Sequence, residues 1–259
     1  MKRITTLCTA TLLTLGAGTV SATELLALSA DGTLYKVDVT SLKVTASMAV
    51  SGASDLRGLD VRPASGQLYA LSGTDQLYTL DAASGMATAG GKLQTALSGS
   101  GQAVVDFNPV ADRLRLLGAD GTSLRVNVDT GEVAVDGKLA YAADGPYTGQ
   151  QPRVVAGAYT NAYAGTQSTA LYNIDLASAS LMLQNPPNDG VQQLVGKVAD
   201  GLEAAAMDIA SDGQGGNTAY LLTGKTLHQL DLASGKPTTL GEVTDLPDGI
   251  IDITVLPAQ

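Results

Sequence analysis

The chain has 259 residues, with 25 acidic against 15 basic side chains and a net charge of −10. That balance excludes nucleic acid and anionic membrane as partners, since both are held by clustered Lys and Arg. One His and one Cys exclude a zinc centre of the His/Cys type.

Residues 1–22 read as a secretory signal peptide: Lys2 and Arg3 form a basic start, Leu7 to Val20 an apolar run, and Val20-Ser21-Ala22 a small-residue cleavage site. Its removal takes Lys2, Arg3 and Cys8 with it. The product is a cysteine-free chain for the periplasm or the extracellular space, with no insertion into the membrane after cleavage. Without a disulfide, its stability rests on core packing and backbone ladders.

Residues 23–259 read as one all-β domain built from a recurring unit of about 45 to 50 residues. Short Leu/Val/Tyr-rich runs alternate with Gly, Asp and Ser turns, which is the pattern of strands and hairpins. Three strands are expected first, at Glu24–Ala30, Thr33–Asp38 and Lys43–Val50. The second unit has four, at Leu59–Arg62, Gln67–Ser72, Gln76–Asp81 and Met86–Gly90. The third runs through Val104–Asn108, Arg113–Gly118, Ser123–Asp129 and Glu132–Asp136. The fourth uses Val154–Tyr159, Thr169–Asp175, Ser180–Gln184 and Gln192–Gly196, with Leu171-Tyr172 fitting either its second or its third strand. The fifth uses Ala206–Ala210, Thr218–Thr223, Thr226–Asp231 and Pro237–Leu240.

The tail, Ile250 to Leu256, matches the first strand of each unit, which the first unit lacks. Inserting it beside the N-terminal strands closes a ring and removes its open edges. The expected fold is therefore a β-propeller of five four-stranded blades closed by the C-terminal strand, with six blades as the alternative.

Asp106-Phe107-Asn108-Pro109 with Asp112-Arg113-Leu114-Arg115, Asn127-Val128-Asp129-Thr130-Gly131, and Gln184-Asn185-Pro186-Pro187-Asn188-Asp189-Gly190 together resemble a bacterial family of secreted proteins. That family is catalogued only as a domain of unknown function with a propeller-like fold. The resemblance implies an exported propeller and carries no catalytic or binding residues.

Two groups of residues are candidates for chemistry. Asp60, Asp106, Asp208 and Asp252 recur in the first strand of successive units, with Ala158 in that place in the fourth. First strands line a propeller's central channel, so these carboxylates converge. They could hold Ca²⁺, which takes six to eight oxygens, with Asn108, Asn161 and Thr254 as further donors. The competing reading has each Asp capping backbone N–H groups between blades, as buried carboxylates require.

The second group is Asn185, Asn188 and Asp189, directed polar residues on a loop stiffened by two prolines. Such a loop suits a ligand, or else its amides bond their own backbone. Arg62, Arg113, Arg115 and Arg125 are expected to pair with surface Asp residues. His228 occupies a Tyr position of the repeat and is expected to pack; no Gly-x-Ser-x-Gly elbow makes it part of a triad.

Three functions fit. The preferred one is a non-catalytic binding or interaction module for an unknown protein or small molecule. The others are a Ca²⁺-dependent hydrolase or lyase using the carboxylate ring, and a structural cell-surface or matrix protein. The absence of Trp and the scarcity of free aromatics count against sugar processing.

Overall fold

The structure, a computed structural model, describes residues 23–257; the expected signal peptide lies outside the described residues. In chain order, β1 (Glu24–Ser29), β2 (Thr33–Asp38) and β3 (Lys43–Ala49) begin the first blade. The second holds β4 (Leu56–Val61), β5 (Leu68–Ser72), β6 (Gln76–Leu80) and β7 (Ala87–Lys92). The third holds β8 (Val104–Asn108), β9 (Arg113–Leu117), β10 (Ser123–Val126) and β11 (Val133–Val135). A short β12 (Ala140–Tyr141) precedes the fourth blade, formed by β13 (Val154–Tyr159), β14 (Leu171–Asp175), β15 (Ser180–Gln184) and β16 (Val191–Lys197). The fifth holds β17 (Ala206–Ser211), β18 (Asn217–Thr223), β19 (Thr226–Leu230) and β20 (Pro237–Glu242), and β21 (Ile250–Val255) ends the ring.

The blades number five, and each is an antiparallel meander. β21 pairs with β1 through Leu25↔Val255, Leu26↔Thr254 and Ala27↔Ile253, so the C-terminal strand is the innermost strand of the first blade. The innermost strands touch in the order β21, β4, β8, β13, β17 and back to β21. Among the described residues no helix is long and apolar enough to cross a membrane.

Burial falls from the axis outward, and the sequence follows it. β4 and β8 are buried on both faces along most of their length, and the polar residues they carry there, Arg57, Asp60 and Asp106, are hydrogen-bonded. The outer β3, β7 and β20 are mostly exposed or half-buried, and carry Thr, Ser, Lys and Glu. Hairpins between third and outer strands share one device. In Asp81–Gly85 the Asp81 carboxylate accepts the amides of Ala83 at 2.8 Å and Ser84 at 2.9 Å. Gly85 then takes φ of 75°, a conformation that favours glycine. Asp231–Gly235 repeats it.

The fourth blade departs from the repeat. Leu171-Tyr172 lies in the second strand, paired to β13, although the same phrase elsewhere (Leu34, Leu77, Leu227) begins or lies near the start of the third strand. β12 also adds to this blade as a fifth strand, parallel to β16 through Ala140↔Val191 and Tyr141↔Gln192. Nothing in a two-residue Ala-Tyr run signals a strand. It is held from outside, by Ala140 N to Gly190 O at 3.1 Å and Ala142 N to Gln192 O at 3.0 Å.

Candidate functional site

The first strands carry their Asp side chains to one level of the channel. Asp60, Asp106 and Asp208 are buried, and one carboxylate oxygen of each lies within 4.8 Å of the others. Each also bonds the backbone of the following blade. Asp60 Oδ2 accepts Phe107 N at 2.8 Å, Asp106 Oδ1 accepts Tyr159 N at 2.9 Å, and Asp208 Oδ2 accepts Val255 N at 2.5 Å.

These bonds fix which residues are level, and they move one member of the expected ring. The amide used is always the one after the neighbour's own position at that level: Phe107 after Asp106, Tyr159 after Ala158. Asp208 bonds Val255, the residue after Thr254, so Thr254 is the first blade's member of the ring. Its hydroxyl donates to Asp60 Oδ1 at 2.9 Å. Asp252 instead bonds Leu59 N at 2.9 Å, the residue after Gly58, and lies two residues deeper. It is outside the cluster of three. Gly58 is required there, because a Cβ would meet Asp252 Oδ2 at 2.8 Å and Ala103 O at 2.8 Å.

Ala158 gives the fourth blade no carboxylate, so two amide contacts join it to the fifth. Asn161 N donates to Asn217 Oδ1 at 2.7 Å, and Asn217 Nδ2 returns a bond to Asn161 Oδ1 at 2.9 Å. At the opposite end of the channel Gln102 Nε2 donates to Val155 O at 3.0 Å and Ala205 O at 2.8 Å, tying three blades.

Among the described residues no Lys or Arg forms an ion pair with the ring. Burial therefore dominates, and it penalises the charged form. Asp60 and Asp106 are held well above the usual carboxylate range, first by desolvation, then by the charge of Asp208 on Asp60 and of Asp60 and Asp208 on Asp106. Asp252 is raised by the same causes. Asp208, which accepts amides from both Val255 and Ile209, is pushed up less, to about 6.

Above the ring, at the C-terminal ends of the innermost strands, a cavity of about 730 Å³ opens to solvent. Asp60, Asp106 and Asp208 line it with Glu24, Asp38 and Lys36 at its side, Tyr163 from a loop and Ser211 from the end of β17. Lys36 pairs with Glu24 at 3.3 Å. The first blade's contribution escaped the sequence reading, because Glu24 and Asp38 look like ordinary strand ends until the ring closes.

The second candidate group divides. Asn185 lines a separate cavity of about 530 Å³ with Asn108, Val110, Tyr159 and Gln184. Asn188 is engaged in the fold: its Oδ1 accepts Arg115 Nη2 at 2.9 Å and its carbonyl accepts Gly137 N at 2.8 Å. Asp189 is exposed on the single 3₁₀ turn of this loop.

The arginines also divide. Arg62 holds Asp112 and Asp129 at the surface, at 2.6 and 2.8 Å. Arg115 corrects the expectation of surface pairing. It is 1% exposed and bonds Asp136 Oδ2 at 2.5 Å and Ser123 Oγ at 2.9 Å inside the molecule. His228 bonds the hydroxyls of Thr223 and Thr239, at 2.9 and 3.0 Å.

A five-bladed propeller whose innermost strands carry this Asp pattern defines the class. The chain belongs to the family described as Domain of unknown function (DUF4394), whose model matches residues 33–254. No curated protein matches it.

Among solved structures it is similar to a protein of unknown function from Bacteroides thetaiotaomicron, at 20% identity and a TM-score of 0.59, over 93% of this chain and 66% of that one. The chain thus spans about two thirds of that protein's length, and at this identity the likeness concerns the fold. A protein of unknown function from Bacteroides caccae matches at 12% identity and a TM-score of 0.46, over 91% of this chain and 99% of that one.

Proposed function

We propose that this protein is an exported, non-catalytic binding module whose ligand enters the 730 Å³ cavity and sets positive charge on Asp60, Asp106 and Asp208. One observation carries the reading: three buried carboxylates share the floor of an open cavity, and among the described residues no Lys or Arg pairs with them, Lys36 at the cavity's side being paired with Glu24. Backbone amides reach both oxygens of Asp60 and Asp208 but only Oδ1 of Asp106. They do not explain why the carboxylates face one another beneath a solvent-filled space, an arrangement that costs charge repulsion in a low-dielectric site.

Ca²⁺ is the simplest such ligand. The three carboxylates fit its hard-oxygen preference, and the cavity has room for the waters that would complete six to eight ligands. A Ca²⁺-dependent hydrolase or lyase would draw on the same carboxylates, and the fold does not separate the two.

The experiment is thermal unfolding of residues 23–259 in EDTA and in millimolar Ca²⁺. A ligand at about 100 times its Kd adds roughly 2.7 kcal/mol, or about 5 to 10 °C at this size. Stabilisation of that order, lost in Asp106→Asn, supports a cation site. No shift with Ca²⁺, nor with an organic cation such as spermidine, would overturn the charged-ligand reading. Turnover of an ester or glycoside library that is lost in the same variant would favour the enzyme.

A further inference from the structure

We infer that the ring opens at the joint between the third and fourth blades, before any other joint and below global unfolding. Four joints are apolar. Twelve buried hydrophobic residues form the core between the second and third blades, eleven between the fourth and fifth, ten between the fifth and first, and eight between the first and second. Between the third and fourth there are four: Val104, Leu117, Leu139 and Val154.

Polar side chains fill the rest of that joint. Arg115 crosses it to reach Asn188, and binds Asp136 on its own blade. On the facing side of the fourth blade lies a buried amide cluster. Asn173 Nδ2 donates to Gln184 Oε1 at 2.9 Å and Gln192 Oε1 at 3.0 Å, and all three residues are at most 2% exposed. Asn173 Oδ1 has no partner, the single such buried side-chain atom among the described residues.

Separating an apolar joint exposes hydrocarbon with nothing gained in return. Here water replaces each broken hydrogen bond, so the net loss per bond is small, and Asn173 Oδ1 gains a partner on opening. Regions with few buried apolar contacts are where sub-global opening begins. Among the described residues, the strand pairing that crosses the joint is two residues long, Ala140↔Val191 and Tyr141↔Gln192. The 530 Å³ cavity lies over the same joint, between Asn108 and Gln184.

Four amides report on four joints, because each donates to an Asp carboxylate of the preceding blade: Leu59, Phe107, Tyr159 and Val255. Native-state hydrogen exchange by NMR gives a protection factor for each. Tyr159 is expected to be protected about tenfold less than each of the other three. Equal or greater protection at Tyr159 overturns the inference. Asn188→Ala removes the acceptor of Arg115 Nη2, and is expected to lower protection at Tyr159 while leaving Leu59 and Val255 unchanged. A uniform fall at all four amides would mean that they exchange through global unfolding, and would overturn it equally.

Discussion

Replacing Asp106 by Asn is expected to stabilise the metal-free protein at neutral pH and to flatten its loss of stability with rising pH. Asp106 accepts one protein hydrogen bond, from Tyr159 N to Oδ1, and an Asn carbonyl keeps it. The amide NH₂ then replaces the second oxygen and turns a repelling neighbour of Asp60 and Asp208 into a donor. Two ionised carboxylates within 4.8 Å repel by about 3 kcal/mol at an effective dielectric of 20. Partial protonation of the ring reduces this, so about 1 to 2 kcal/mol of stabilisation is expected, or a rise in Tm of about 2 to 8 °C.

The pH dependence follows from the same carboxylates. Burial pushes the Asp208 carboxyl up to about 6 in the folded protein, from an ordinary value of 3.8. The folded state therefore holds a proton that the unfolded chain has released, and stability falls as pH rises across that window. At 1.36 kcal/mol per pH unit this one group accounts for about 3 kcal/mol. Asp60, Asp106 and Asp252, also raised by burial, add to the fall with rising pH. Exposed Asp38, Asp81 and Asp231 act oppositely. Hydrogen bonds lower them, so their contribution is lost as pH falls below about 4.

Stability in EDTA should thus peak near pH 4 to 5. Urea midpoints from pH 4 to 8 measure both effects. A variant less stable than its parent at pH 7, with the same slope, would refute charge repulsion in the ring.

Gly157→Ala is expected to cost about 1 to 3 kcal/mol, because its Cβ would collide with Asn173 Oδ1 and press on Val104 at 3.1 Å; a urea midpoint equal to the parent's would contradict the packing described. Deleting residues 250–259 removes β21, unpairing β1 and exposing Leu25, Leu26 and Leu28. No cooperative thermal transition should remain, and calorimetry checks this. Gln102→Ala strips the carbonyls of Val155 and Ala205 of their shared donor. A loss of about 1 to 3 kcal/mol is expected, measured by the same urea titration.

The sequence by itself pointed to the four-stranded units, to five blades with six as the alternative, and to the closing strand. Strand formation is local: Leu68–Ser72 or Leu114–Leu117 cannot bury their apolar side chains in any other way than between two neighbouring blades. The repeat made the count, and the first unit's missing strand called for the tail. The convergence of Asp60, Asp106 and Asp208 was legible for the same reason, since equivalent positions of a closed ring meet at its axis.

Tertiary structure alone decided that Thr254, not Asp252, completes the ring. A slip of two residues keeps every side chain on the same face, so alternation in Ile250-Ile251-Asp252-Ile253-Thr254 cannot tell the two apart. Only the hydrogen bonds from Val255 to Asp208 and from Leu59 to Asp252 set the level. It also decided that Arg115 is buried, that Asn188 serves a joint, and that Ala140-Tyr141 is a strand. Each depends on a partner some 20 to 70 residues away, Asp136, Arg115 and Val191-Gln192 respectively, and no local pattern encodes a partner that only folding brings near.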